Sequence, residues 1–136
     1  MDSKFDLKNS SETTSLECNE ILSLDNSIRF VAMCSKEGKM LNVKYREDIT
    51  PLLNEKELLY SIIKSVERIN VRKESEEKLG PTIYSVTAYA NVKRVTIPVN
   101  GGGIFFVSFE GNGNEFTILK KILGQINPPK SNQIYS

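Results

Sequence analysis

Hydrophobic residues recur along this chain with two different periods, and five segments have the period of two that is typical of β-strands. Ile28–Ser35 and Ile104–Glu110 are apolar at both odd and even positions, which indicates strands covered on both faces. Met40–Tyr45, Thr82–Ala90 and Val92–Val99 alternate apolar and more polar positions. The pattern therefore predicts two central strands and three strands nearer the edges of a sheet.

The longest segment with a helical period runs from Glu55 to Lys78 without a proline or glycine. Asn54 is a suitable N-cap, and Glu57 stands at the third helical position, which predicts a capping box. The helix should end at Leu79-Gly80-Pro81, because glycine accepts a positive φ and proline cannot continue a helix. Its apolar side chains span an arc of about 140°, wide enough to lie on a sheet: Leu58, Leu59, Ile62, Ile63, Val66 and Ile69.

Two shorter helices are predicted near the ends of the chain. Residues Ser15–Leu24 place Leu16, Ile21 and Leu24 in a helix-like pattern. Residues Glu115–Ile126 follow the turn Gly111–Asn114, and their apolar stripe consists of Phe116, Leu119, Ile122 and Leu123.

The order of elements predicts an α/β (α+β) domain with a five-stranded antiparallel sheet. Pairing the two central strands with each other gives the strand order 2-1-5-4-3, in which every other neighbour is a hairpin partner. The long helix then covers one face, and the two terminal helices cover the other. We expect residues 15–126 to form this domain, after a disordered segment at 1–14 and before a tail at 127–136.

The second half of the long helix carries charged residues where its first half has apolar ones. Arg72–Glu76, Lys73–Glu77 and Glu74–Lys78 are opposite charges four residues apart, which stabilise a solvated helix by about 0.2–0.5 kcal/mol each. Such a face is either a solvated overhang or a docking surface for a second subunit. Tyr60 and Val71 lie outside the apolar arc, close together on the helical wheel, and they favour a contact surface.

The absence of histidine excludes several classes of catalytic site. Ser-His and Cys-His pairs are impossible, and most zinc sites use imidazole. The formal net charge of +1, with both signs interspersed, argues against nucleic-acid binding. Two cysteines with no export signal fit a reducing cytoplasm, and no apolar run approaches the length of a membrane span.

Other candidate sites have simpler structural explanations. The loop Asn100–Gly103 joins two strands, and Gly111–Asn114 lacks the lysine and spacing of a phosphate-binding loop. Acidic residues on the long helix all have basic neighbours, so no metal site is expected. Cys34 lies on a central strand and Cys18 near the first helix, where both are expected to pack as small apolar residues. We therefore expect no cofactor, no metal and no catalytic residues.

The order of elements, the two central strands and the helix end at Leu79-Gly80-Pro81 together resemble the roadblock/dynein-light-chain superfamily, whose fold is profilin-like. A set of small archaeal roadblock-like proteins is also similar, through Leu24–Phe30 (LDNSIRF) and through Arg72-Lys73-Glu74 ahead of the helix end. The resemblance covers residues 16–126. It implies a homo- or heterodimer that packs through the long helix and the third strand, and a scaffold or regulatory role, often towards small Ras-like GTPases. The long helix departs from a minimal member in its length and charge.

Two functions follow as hypotheses. The first is a non-catalytic, cytoplasmic, dimerising adaptor that binds itself, a paralogous roadblock-like chain or a small GTPase. Its interface would include Tyr60, Val71, Arg72, Tyr84, Val86 and Ala88. The second is a small-ligand sensor of the PAS or GAF type, which needs a cavity with inward polar groups between sheet and helix. The long helix has no inward polar group before Lys73 in this pattern, which argues against the sensor.

Overall fold

In the computed structural model, which describes residues 17–99 and 101–126, a five-stranded antiparallel sheet has the strand order β2-β1-β5-β4-β3. This order is the predicted one. The strands are β1 (Ile28–Cys34), β2 (Met40–Tyr45), β3 (Ser85–Ala88), β4 (Val92–Pro98) and β5 (Ile104–Glu110). The helices are α1, whose described part covers residues 17–22, α2 (Glu55–Leu79) and α3 (Glu115–Ile126). The predicted disordered segment and tail lie outside the described residues.

The sheet separates two apolar clusters, as the two-sided strands β1 and β5 require. The terminal-helix face is the side covered by α1 and α3, and its cluster includes Cys18, Ile21, Val31, Val95, Ile97, Phe105, Val107, Phe109, Ile118 and Ile122. The α2 face is the opposite side, with a cluster of Phe30, Ala32, Cys34, Leu58, Ile62, Val66, Ile69, Ile104 and Phe106. The predicted distribution of helices over the two faces is confirmed.

One residue of β1 lies on the face opposite to the expected one. Simple alternation places Ile28 with Phe30, but Ile28 belongs to the cluster of the terminal-helix face. The register between β1 and β5 shifts between these two residues. An irregularity of this kind interrupts the alternation of side chains, so it turns Ile28 to the other face.

Strand β3 is shorter than its sequence pattern predicts, with four residues in place of Thr82–Ala90. Thr82 is bound to the end of α2, because its backbone N–H and its hydroxyl donate to Glu76 Oε2 at 3.2 and 2.9 Å. The segment before Ser85 therefore connects the helix to the sheet and forms no strand.

The predicted ends of α2 are confirmed to within one residue. Asn54 Oδ1 accepts from the backbone N–H of Glu57 at 2.8 Å, and Glu57 Oε1 accepts from that of Asn54 at 2.9 Å, which completes the capping box. Gly80 follows the helix with φ of 90°, and its N–H donates to the carbonyl of Glu76 at 2.8 Å. Positive φ is the conformation that glycine adopts without strain.

Helix α3 is turned so that Phe116 faces solvent, contrary to its predicted place in the apolar stripe. Its side chain is 83% exposed, and Ile118 occupies the core in its place. Asn114 caps the helix, with Oδ1 accepting from the N–H of Thr117 at 3.0 Å. The cap begins the helix so that Phe116 lies in its first turn, on the side away from the sheet.

Candidate functional site

Helix α2 rests on the sheet along a stripe narrower than the sequence predicts. Leu58, Ile62, Val66 and Ile69 are buried as expected. Leu59 and Ile63, expected at the edge of the same stripe, are 40% and 48% exposed. The helix is rolled towards its Ser65 side, and Ser65 is buried. The expectation that no polar group of α2 points inward before Lys73 is therefore wrong.

The outer side of α2 carries two of the predicted interface residues. Tyr60 and Val71 are 63% and 66% exposed. They share one side of the helix, but eleven residues separate them by roughly 16 Å along the axis. The ammonium of Lys64 lies 5.5 Å from the centroid of the Tyr60 ring, a cation–π contact that covers part of this side chain. Tyr60 and Val71 thus share a side of α2 without forming a single compact patch.

Arg72 connects α2 to the edge of the sheet. Its Nη1 donates to Ser85 Oγ at 2.9 Å, which ties the second half of the helix to β3. The ion pairs of the described residues do not include the one expected between Arg72 and Glu76. The pairs expected at Lys73–Glu77 and Glu74–Lys78 are also absent from them. Arg72 and Glu76 instead bind hydroxyls of the segment that follows the helix. These contacts replace the local pairs and anchor the overhang.

The three predicted interface residues around β3 differ in their surroundings. Tyr84 is exposed just before the strand, and Ala88 is exposed at its end, opposite Lys93. Val86 is half-buried and packs against the cluster of the terminal-helix face. Because β3 is the last strand of the sheet, it has no strand neighbour on its outer side in the described part of the chain. The assignment of these residues to an interface stays a prediction.

A second apolar surface lies where α2 begins, and the pattern of hydrophobic residues did not predict it. A groove of about 750 Å³ runs between β2 and the segment leading into α2, with a lining that includes Met40, Val43, Tyr45, Leu52, Leu53 and Leu59. Leu52, Leu53 and Leu59 are exposed. The sequence does contain a sign of this groove. Two leucines follow Pro51 in a connector, where neither a helical nor a strand pattern predicts that they are buried.

A cleft of different chemistry lies between the second half of α2 and the strands β3 and β4. Three arginines line it, Arg68 and Arg72 from the helix and Arg94 from β4. The other lining side chains are mostly hydroxyls, above the buried ring of Phe106: Ser65, Ser85, Thr87, Tyr89 and Thr96. We call this the arginine cleft. The sequence signal for its helical wall is a row of polar residues at steps of three and four: Ser61, Ser65, Arg68 and Arg72.

Each arginine of the cleft is held by a serine hydroxyl. Arg94 Nη2 donates to Ser61 Oγ at 3.0 Å, and Arg68 Nη2 donates to Ser65 Oγ at 3.0 Å. The two serines are fixed in turn by donating to helix carbonyls, Ser61 to Leu58 at 2.8 Å and Ser65 to its neighbour one turn earlier at 2.9 Å. The guanidinium groups of Arg68 and Arg94 are thereby fixed against α2.

Burial lowers the pKa of the Arg94 guanidinium, and the positive charge of Arg68 lowers it further, while the side chain of Tyr89 acts in the opposite direction. No carboxylate contributes to this shift. Arg94 therefore lies in a partly desolvated place without an acidic partner.

The two cysteines pack as buried apolar residues, as predicted. Cys18 and Cys34 are fully buried free thiols, one on each face of the sheet. Burial raises the pKa of each thiol to about 11, and the charge of Glu17 adds to the shift at Cys18. A thiol with a raised pKa is a poor nucleophile at neutral pH, which suits packing and disfavours catalysis.

The described residues contain neither a membrane-spanning helix nor a metal-binding cluster. No helix in 17–99 or 101–126 has both the length and the apolar character needed to cross a bilayer. Within the same residues, no group of three or more Cys, Asp or Glu side chains is arranged to hold a metal ion.

Solved structures with this architecture include a Roadblock/LC7 domain and MglB proteins. The gliding protein MglB from Thermus thermophilus matches with a TM-score of 0.71 and 10% identity, over 86% of this chain and 85% of that one. A Roadblock/LC7 domain from Streptomyces avermitilis matches with a TM-score of 0.65 and 9% identity, over 88% and 94% of the two chains. An MglB with a tetrameric arrangement matches with a TM-score of 0.68 and 12% identity, over 81% and 79%.

No family model matches this sequence, and neither does any curated protein. Identities near 10% show a common fold and carry no function by themselves. The fold of the chain is thus the roadblock-like fold that the sequence resemblance implied, and the similarity to archaeal proteins remains a prediction.

Proposed function

We propose that this protein is a non-catalytic, self-associating adaptor or regulatory module whose β3 edge and α2 helix contact a second copy or a paralogous chain. The observation that carries the proposal is the open outer edge of β3, a strand of four residues with exposed Tyr84 just before it and exposed Ala88 at its end. An unpaired edge presents backbone N–H and C=O groups that another strand can bind. The similar MglB chain with a tetrameric arrangement supports self-association in this fold.

The partner beyond the second copy is proposed to be a small Ras-like GTPase. The sequence resemblance implies such a role, and the exposed apolar side chains Tyr60, Ile63 and Val71 on α2 leave room for a second protein. An exposed apolar surface rimmed by charges is a common feature of protein interaction sites. A cytoplasmic location is part of the same proposal.

Sedimentation velocity over a range of micromolar concentrations tests the self-association. The wild-type protein should form a dimer, and Tyr84→Arg and Ala88→Arg should each weaken it by roughly tenfold or more, because a charge at the centre of a small interface is costly. Val86→Glu is unsuitable for this test, since Val86 packs against the core and its replacement should weaken the fold.

The matched control is Phe116→Arg, which makes the same kind of change at an exposed aromatic residue of α3. It should leave the dimer intact. A wild-type protein that stays monomeric throughout, or a Phe116→Arg variant that dissociates as readily as Tyr84→Arg, would show that β3 is not the interface.

The GTPase role needs its own measurement. Small Ras-like GTPases from the same genome should be mixed with the protein in their GDP- and GTP-loaded forms, and binding and GTP hydrolysis followed. A regulator binds the two forms unequally or changes the hydrolysis rate. Tyr60→Arg should reduce that effect, and because Tyr60 is also a predicted interface residue, the self-association of the variant is measured in parallel. Equal behaviour of all tested GTPases with and without the protein would contradict the role.

A further inference from the structure

The arginine cleft contains an excess of positive charge that nothing else in the described chain balances. The sequence has five arginines. Arg29 and Arg46 both contact Glu110 Oε2, at 3.0 and 3.2 Å. Arg68, Arg72 and Arg94 line the cleft, and no carboxylate of residues 17–99 or 101–126 lies within 4.0 Å of their nitrogen atoms. The unpaired arginines are therefore all in one place.

Holding three like charges together is unfavourable unless an anion is bound among them. The lining contains hydroxyl groups and no acidic side chain, so nothing in the wall repels an anion. Both features are typical of a site for an oxyanion, since guanidinium groups and hydroxyls are the usual donors to phosphate oxygens.

The donors are available and oriented in advance. A guanidinium has five N–H groups, and each of the three donates one hydrogen bond to a serine of α2 or β3. Arg94 has the Tyr89 side chain as a second hydrogen-bond partner. Most of the donors remain for a ligand. Arg68 and Arg72 come from successive turns of one helix and Arg94 from the facing strand, so the three groups approach the cleft from two sides.

The size of the cleft selects the kind of ligand. The volume of the cleft is about 30 Å³, two to three times the minimum that holds a water molecule. This space accepts the head group of a small oxyanion, while a base or a sugar has to remain outside.

We propose that the arginine cleft binds a phosphate oxyanion, either free inorganic phosphate or the terminal phosphate of a larger molecule. The site lies beside β3, and the bound anion would neutralise the charge next to the strand edge. The assignment does not depend on the proposed self-association: a monomer could bind phosphate, and a dimer could fail to bind it.

Calorimetric titration of the full chain with inorganic phosphate tests the assignment, at an ionic strength kept constant with sodium chloride. Binding should saturate at one anion per chain, and phosphate should raise the melting temperature more than chloride does. A parallel titration with glycerol 3-phosphate distinguishes the two sources. Equal affinities indicate the free ion, and a tighter monoester indicates a larger ligand.

Arg72→Gln and Arg94→Met should each weaken phosphate binding by roughly tenfold or more, as expected for the loss of a charged hydrogen-bonding partner. Arg72 is exposed, so its variant should fold even if the other does not. The matched control is Lys120→Gln, which removes one positive charge from exposed α3. It should bind phosphate like the wild type.

Three results would overturn the proposal. One is the absence of saturable binding for both phosphate compounds. Another is equal weakening by Lys120→Gln, which would mean a general charge effect. The third is a wild-type protein that binds no phosphate, together with a loss of self-association in Arg72→Gln and Arg94→Met. That result would mean that the cleft binds a carboxylate of a second copy.

Discussion

The two faces of the sheet are built for different purposes. The terminal-helix face is apolar from β1 to β4, and its cluster includes fully buried Val31, Val95, Ile97, Phe105 and Phe109. The α2 face is divided. Its apolar cluster covers β1 and β5, whereas the part over β3 and β4 contains hydroxyls and the three arginines of the cleft. The same sheet therefore has one face with a continuous core and one with a polar half.

This difference indicates where stability and where binding reside. A continuous apolar cluster contributes to folding through the area it removes from water. Of the three arginines only Arg94 is partly buried, and a partly buried charge without a carboxylate partner contributes nothing comparable and usually costs free energy. The polar half of the α2 face is therefore where we propose that binding takes place.

The largest expected effect separates the two faces by their contribution to stability. Phe105→Ala, in the core of the terminal-helix face, should lower the free energy of unfolding by about 3–5 kcal/mol, through lost burial and a cavity. Thr87→Ala, at an exposed position on the α2 face, should change it by about 0.5 kcal/mol or less. Urea unfolding measures both. A cost below about 1 kcal/mol for Phe105→Ala would contradict the continuous core.

The two cysteines report on the two faces separately. With pKa values raised from 9.0 to about 11, both thiols are neutral at pH 8, and the thiolate fraction is roughly 100-fold lower than in the unfolded chain. Reaction with a disulfide reagent should be slower by at least that factor. The rate of this reaction should rise about tenfold per pH unit up to pH 11 in the folded protein. In the unfolded chain the rate should rise only up to pH 9.

Cys34→Ala leaves only Cys18, on the terminal-helix face, and Cys18→Ala leaves only Cys34, on the α2 face. Cys18 should react faster than Cys34, because a helix packed on one face of the sheet opens with less disruption than a central strand, which opens only with the whole sheet. Equal rates for the two variants would indicate that both faces open together, and rapid reaction of either thiol in the folded state would contradict its burial.

The smallest expected effect concerns the arginine of β4. Arg94→Met should leave the free energy of unfolding unchanged or raise it by up to about 2 kcal/mol, because it replaces a partly buried charge that has no acidic partner. Arg29→Met is the matched change at an arginine paired with Glu110 at 3.0 Å, and it should cost about 1–3 kcal/mol. A larger loss from Arg94→Met than from Arg29→Met would show that the cleft is structural.

Local patterns in the sequence were sufficient for most of the fold. The apolar positions on both sides of β1 and β5 predicted that these strands are central, and Asn54, Glu57 and Gly80 predicted the ends of α2. Caps and strand patterns depend on residues within one turn or two positions of each other, so they are visible in the sequence. Ile28, by contrast, was placed on the wrong face, because the irregularity in β1 appears only in its pairing with β5.

The candidate sites were much harder to predict than the fold. Leu59 and Ile63 fit an apolar stripe as well as Val66 does, and only the roll of α2 on the sheet decides which of them is exposed. The arginine cleft combines a helix with a strand that begins more than ten residues after it, so no spacing in the sequence joins Arg94 to Arg68 and Arg72. The open edge of β3 was predicted, and its role in association is still to be measured.

By itself, the sequence determined the type and order of the elements, the central position of β1 and β5 and the absence of histidine chemistry, because periodicity, capping and composition are local properties. Only the tertiary structure decided which residues face each other across the sheet. The pairing of β3 with β4 places Ser85 opposite Thr96 and Thr87 opposite Arg94, and the packing of α2 sets Arg68 and Arg72 against them. The arginine cleft depends on this register and this helix rotation, which are set by contacts between residues distant in the chain.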